Sequence, residues 1–294
     1  MKVYRDKRII ILYLFPAIAL MALFVYYPLV QSIVFSLFKW ASFSPEKQWV
    51  GFYNYHLIVS DTATFFTILR NNFFYAVVST IFQAGLGLVF AACLEEKFMR
   101  GTQPFFRTVL FIPSLIAMTV IAMLWQFMYD PNIGMINQAI QALGFKDFNA
   151  QWLGDSNLSI WCCIIVSQWQ YIGYCMMLDL VGIQKIDGEL FEAATIDGAT
   201  RPQVFRYITL PLMKESILVT TVVTILGSVK VFTEVYVMTA GGPGRSSEVL
   251  ATAMYRAAFK NDEMGVACAY AIMIFVLTFI CAALQLKLSH TGEE

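Results

Sequence analysis

EAATIDGATRPQVFRYITLPL, residues 192–212, is a charged, turn-rich stretch in a chain that is otherwise largely apolar. Just upstream, Asp187 is suited to cap a helix beginning near Gly188, and Glu189 and Glu192 then fall in its early turns, where the helix dipole favours acids. Leu190, Phe191, Ala194 and Ile196 give that helix apolar cover. Gly198 fits the left-handed position that ends a helix. Thr200 with Gln203 reads as a second capping box, with Pro202 tolerated in the first turn. Phe205 and Ile208 share a face at i, i+3, and Pro211 breaks the run. The stretch therefore reads as two short helices hinged at Asp197-Gly198-Ala199. Ala193, Ala194 and Ala199 are small enough to let another surface approach. An amphipathic linker lying at a lipid interface is the plainer alternative. Such helices usually carry a basic polar face and a bulky apolar one, whereas the first helix here is acidic and small-faced, which suits docking into a protein cleft.

What surrounds the stretch sets the fold. The chain has 294 residues, 59% hydrophobic and 14% charged, with a mean hydropathy of +0.65. Soluble domains carry about 25% charged residues, so lipid is the expected solvent. Six apolar blocks, near 10–37, 72–94, 107–128, 159–182, 216–238 and 265–287, reach the roughly 20 residues that a helix needs to cross a bilayer core of about 30 Å. The first block resembles a signal anchor, but its length and the lack of a small-residue cleavage site make it a span. The expected fold is all-α: one polytopic membrane domain over 1–294 with six transmembrane helices. With both termini inside, 12 of the 20 Lys and Arg face the cytoplasm, among them Lys2, Arg5, Lys7 and Arg8, and 7 face outward. The 192–212 stretch then lies on the cytoplasmic side.

Several function classes fall away. The net charge is zero, so no electrostatic footprint for nucleic acid exists. All six cysteines lie in expected spans without metal-ligand spacing, and read as small apolar residues. There is no GxxxxGK[ST] phosphate loop, HExxH, GxSxG or GxGxxG after a strand. Gly241-Gly242-Pro243-Gly244 lacks a phosphate-reaching Lys. His56 and His290 both fall outside the spans, and Asp179, Lys230 and Glu234 are the few ionisable groups at membrane depth. The chain is expected to move a solute rather than transform one, with no ATPase site, metal or cofactor of its own.

At this point a family resemblance enters. The stretch resembles the EAA loop of permease subunits of binding-protein-dependent ABC importers, nearest to the carbohydrate branch (maltose, multiple-sugar and glycerol-phosphate systems). That branch's pattern, E-A-A-x-x-D-G-A followed by F, I and L-P, is met by Glu192, Ala193, Ala194, Asp197, Gly198, Ala199, Phe205, Ile208, Leu210 and Pro211. FFRTVLFIPSLIAMTVIAMLWQFMYDPNIGMIN (105–137) resembles the family's third span and outer turn. MTAGGPGRSSEVLATAMYRAAFKNDEMGVACAYA (238–271) resembles its last outer loop and sixth-span entry. Glu215 departs from the pattern, standing where many relatives have Pro, which leaves the start of the fifth span open.

The resemblance implies a type I importer fold in the cytoplasmic membrane, with 188–212 as a cytoplasmic coupling element docked in a groove of a separate ATPase dimer. ATP and Mg would be used there. Glu192 would be the charged contact and Gly198 the hinge. It also implies a second homologous permease and an extracytoplasmic solute-binding protein that delivers a sugar. Counting back from Glu192, Tyr174 falls where the maltose permease places a sugar-contacting Tyr, with Tyr171 one turn earlier. Thr224, Gly227 and Ser228 align with sugar-contacting positions of the fifth span, where the maltose system has amides and this chain does not. Aromatic faces suit sugar rings, although Trp169, Tyr171 and Tyr174 also fit an interfacial belt.

Lys230 and Glu234, at i, i+4, read either as an ion pair lowering the cost of charge in the span or as a functional pair with Lys230 as gate or anion contact. Asp179 fits a position near a wet cavity. Rival functions are the same family carrying glycerol phosphate, a polyamine or another polar solute, and a secondary transporter. The last would call for inverted repeats, and none is evident.

Overall fold

The computed structural model describes residues 7–44, 46–99 and 101–290; Lys2, Arg5 and Arg100 of the charge count lie outside them. The described residues are mostly helical, with one pair of two-residue strands among them, Phe38–Lys39 and Gln48–Trp49, paired antiparallel with Phe38 opposite Trp49. Among the described residues, four helices are long and apolar enough to cross a membrane: Tyr13–Phe35, Thr62–Glu95, Lys214–Thr239 and Met264–Gln285. A fifth candidate is the pair Gln103–Leu115 and Met118–Met128. Ser159–Ile183, at 25 residues, is long enough but stands outside that apolar set. Its Gln168, Gln170 and Asp179 lower its hydropathy, and most of its residues are buried against other helices.

The described residues fall into two compact units. One comprises the chain up to Thr62 together with Ala253–Phe275. Within it, Asn54 gathers the backbone beside the small sheet, its Nδ2 donating to the carbonyls of Ser36 (2.7 Å) and Phe38 (2.9 Å). Gly265 sits so close to the Phe38 carbonyl that a Cβ there would lie 2.0 Å from the oxygen, so only glycine permits this approach.

The other unit, Ala63–Thr252 with Val276–Glu294, holds the bundle around the 159–183 helix. Small residues set its packing distances, as is common where helices associate in lipid. A Cβ on Gly173 would fall 1.8 Å from the Leu110 carbonyl, and one on Gly87 would fall 3.0 Å from the Met176 nitrogen. One buried apolar cluster centres on Met176, Leu180 and Met213, another on Ile121, Cys163 and Val235.

Four helices of this unit are not regular; one is the 201–212 helix, with a π-turn at Phe205–Thr209, and the other three lie together. The 62–95 helix loosens into a π-turn at Thr80–Leu86. The expected 107–128 span is two helices crossing at 96°, because Ile116 and Ala117 are extended (ψ 137° and 131°). The expected 216–238 span breaks after Val229 and resumes at Thr233. Breaks at membrane depth free backbone groups that must find partners within the protein. Buried amides on neighbouring helices supply them. Gln170 Nε2 donates to the Ile116 carbonyl at 2.9 Å. Asn72 Nδ2 lies 3.2 Å from the Val229 carbonyl and 3.5 Å from that of Ser228, while its Oδ1 accepts from the Leu250 N–H at 2.9 Å. Half-buried Gln126 does the same for a helix end, its Nε2 donating to the Val237 carbonyl near the close of Thr233–Thr239 at 2.7 Å.

Candidate functional site

The π-turned 62–95 helix, the bent 103–128 pair, the broken 214–239 helix and the buried 159–183 helix converge on one cavity of about 470 Å³. The 159–183 helix presents Ser167, Tyr171, Tyr174 and Cys175 to it, residues spaced at i, i+4, i+7 and i+8 and hence on one face. The 214–229 helix contributes Thr224, Gly227 and Ser228 by the same periodicity, and its broken end adds Lys230 to Glu234. Ser114 and Met118 flank the 96° bend, and Tyr75 and Gln83 come from the 62–95 helix. Gln83 lies within the π-turn, a distortion often found at functional sites. Tyr171, Tyr174, Thr224, Gly227, Ser228 and Lys230, expected from sequence to line a path, are thus brought together around a single space.

The wall mixes apolar and polar side chains, and most of its hydroxyls and amides find partners within the protein. Thr224 Oγ1 donates to the Thr220 carbonyl and Ser228 Oγ to the Thr224 carbonyl, both at 2.8 Å. The Tyr75 hydroxyl lies 3.0 Å from the Cys163 carbonyl and 3.3 Å from Glu234 Oε1. Gln83 Nε2 is 3.4 Å from the Ser167 carbonyl. Tyr174 is 39% exposed, and its ring is available to the cavity. A Cβ built on Gly227 meets nothing within 4 Å, so glycine here leaves room rather than relieving a clash.

One expectation about charge, the ion-pair reading of Lys230 and Glu234, is corrected. Lys230 and Glu234 do not pair: the i, i+4 spacing assumed a continuous helix, and the break at 231–232 turns them apart. Glu234 is 7% exposed and meets Tyr75, while Lys230 makes no ion pair among the described residues. Asp179 does not line the cavity; it is 1% exposed and accepts from Thr220 Oγ1 at 2.8 Å. Sequence reasoning missed Tyr75, Gln83, Ser167 and the capping amides. Polar side chains recurring inside an apolar run are the available signal.

The second feature is the 188–212 segment, whose helix ends are capped locally. Asp187 Oδ1 caps its first helix, Gly188–Ile196, accepting from the Glu189 N–H at 3.1 Å. That helix ends in a Schellman turn: Gly198 is left-handed (φ +76°), its N–H donates to the Thr195 carbonyl at 3.2 Å, and Ala199 N–H donates to that of Ala194 at 2.9 Å. Gln203 Oε1 accepts from the Thr200 N–H at 2.7 Å, opening the second helix. That helix runs through Pro211 and stops at Met213, and Glu215 falls in the first turn of the helix that follows. Glu192, Ala193 and Asp197 are exposed, Ala199 is half-buried and Ala194 is buried. Ile196 is 86% exposed and Tyr207 70%, large apolar side chains on a charged surface. Arg201 lies 3.5 Å from Glu96 and over the Phe98 ring at 4.9 Å, tying the segment to the loop after the 62–95 helix.

Comparison with known proteins gives one consistent match. The family described as binding-protein-dependent transport system inner membrane component matches residues 83–290. The chain is 46% identical over 292 residues to the probable ABC transporter permease protein YurN of Bacillus subtilis, covering 99% of each chain. It is 30% identical over 296 residues to the trehalose/maltose transport system permease protein MalF of Thermococcus litoralis, covering 99% of this chain and 97% of the relative. A chain from the crystal structure of a bacterial ABC transporter involved in the import of the acidic polysaccharide alginate has the same fold, with a TM-score of 0.83 at 22% identity over 99% of each chain.

Proposed function

Because the chain belongs to the binding-protein-dependent transport system inner membrane component family, we propose that it is the permease subunit of an ATP-driven importer of a sugar or oligosaccharide. The observation that carries the reading is the convergence of Tyr171, Tyr174, Thr224, Gly227, Ser228 and Lys230 on one cavity. Its aromatic faces and hydroxyls suit a sugar ring passing through a half-wet space. The names of relatives such as the trehalose/maltose permease support the same substrate class. In this reading the chain is a single permease domain with six spans, the 159–183 helix being the fourth. Both termini face the cytoplasm. A second homologous permease completes the path, and an extracytoplasmic binding protein delivers the sugar.

The 188–212 segment would be the coupling element. Its self-capped first helix moves as a body, so displacement of a docked ATPase dimer passes to the 159–183 and 214–229 helices on either side. Glu192, Ala193, Ala194, Asp197, Gly198, Ala199 and Pro211 form this joint: Glu192 as the exposed charge, Gly198 as the hinge and Pro211 toward the fifth span. ATP and Mg would be held by the partner ATPase and no cofactor by this chain.

The test is purification of the tagged chain from native membranes, with partners identified by mass spectrometry. A second permease and a Walker-motif ATPase in stoichiometric amounts, both lost with Gly198→Asp or Glu192→Lys, are the expected result. The chain alone, still active in uptake, would point instead to a secondary transporter.

A further inference from the structure

Resting on the reading of the cavity as a carbohydrate path, we propose that its substrate is an anionic carbohydrate, bearing a carboxylate or a phosphate, whose charge is met by Lys230. Lys230 and Glu234 are the charged side chains among the residues lining the cavity. Glu234 is buried and turned to the Tyr75 hydroxyl. Lys230 is exposed within the lining and has no ion-pair partner among the described residues. It sits at the carbonyl end of the 214–229 helix, where the dipole favours a cation without neutralising it. A lone cation at membrane depth is costly. A neutral sugar offers it no counter-charge, whereas an anionic one does, with Tyr171 and Tyr174 left to meet the sugar body. An ammonium is a point charge and accepts either carboxylate or phosphate.

Uptake in cells carrying the intact transporter tests this with four labelled probes: digalacturonate, its neutral dimethyl ester, glycerol 3-phosphate and maltose. Wild type, Lys230→Gln and Lys230→Arg are compared. The same binding protein serves all three, so variant-to-wild-type ratios isolate the cavity. Uptake of digalacturonate in preference to its ester identifies a carboxylate substrate, and uptake of glycerol 3-phosphate a phosphate. Lys230→Gln is expected to raise half-saturation for that probe at least about tenfold, with Lys230→Arg retaining most uptake and the neutral probes unchanged. Equal losses for charged and neutral probes in Lys230→Gln overturn the anion reading and make Lys230 a structural or inter-subunit charge. Wild-type uptake confined to neutral probes also overturns it, while leaving the importer reading intact. No energised uptake of any probe, with no ATPase co-purifying with the tagged chain, overturns both.

Discussion

The cavity and the 188–212 segment are both built from interrupted helices, but the interruptions are held in opposite ways. Around the cavity, each break is satisfied from another part of the chain: Gln170 holds Ile116 across 54 residues, and Asn72 reaches Val229 across 157. In the 188–212 segment, caps act within a few residues, through Asp187 to Glu189, Ala199 to Ala194 and Thr200 to Gln203. The difference follows from where each must work. Breaks at membrane depth have no water to fall back on, so their partners must be buried and come from packed neighbours. A segment that moves against a partner needs to keep its shape without such neighbours, and local caps provide that.

Asn72→Leu is the strongest way to break the first half of this comparison. It leaves the Val229 and Ser228 carbonyls and the Leu250 N–H without their partner, at about 1 kcal/mol for each buried group. A loss of about 2–3 kcal/mol in the stability of the purified protein is expected, with uptake abolished at growth temperature. An unchanged unfolding midpoint would show that the 230–232 break is held by packing alone. Gly227→Phe comes next. Because a Cβ at Gly227 meets nothing within 4 Å, the ring should enter the cavity and not the core. Stability should then change by no more than about 0.5 kcal/mol, while transport falls steeply and partner co-purification persists. Transport at the wild-type rate would move the path elsewhere.

The same contrast explains what was legible in the sequence. Asp187, Gly198 and the Thr200–Gln203 box were readable because each cap lies beside the residue it serves, and the structure forms all three. Tyr171 with Tyr174, and Thr224 with Gly227 and Ser228, were found through the resemblance, and helical periodicity then accounts for their shared faces. The 96° bend after Leu115 was not read, although Pro113 stands nearby, because the extended pair Ile116-Ala117 is apolar and its cap, Gln170, is distant in sequence. The Lys230–Glu234 pair was misread for a related reason. The i, i+4 rule holds only while the helix continues, and the partner that stabilises its interruption is Asn72, at the far end of the unit's sequence.

Two smaller effects sharpen the other side. Gly198→Ala forces a Cβ into a φ of +76°, at a cost of about 1 kcal/mol. If the Schellman turn sets the docking angle, uptake per ATP hydrolysed should drop severalfold while the global unfolding midpoint stays put. Gly198→Asn, which tolerates the left-handed conformation better, should recover part of it.

Asp187→Ala should give the smallest effect and is the most discriminating. It removes one cap bond to Glu189, worth about 0.5–1 kcal/mol to the helix that carries Glu192. Since that helix begins in exposed surroundings, the freed N–H groups turn to water and the global midpoint should not move. Fraying should instead appear as faster hydrogen exchange confined to the first turn, at 188–191, with Asp187→Asn restoring protection. If protection fell as far away as the 159–183 helix, the segment would not be a self-contained body. The distinction between locally capped and remotely capped breaks would then fail at its weakest point.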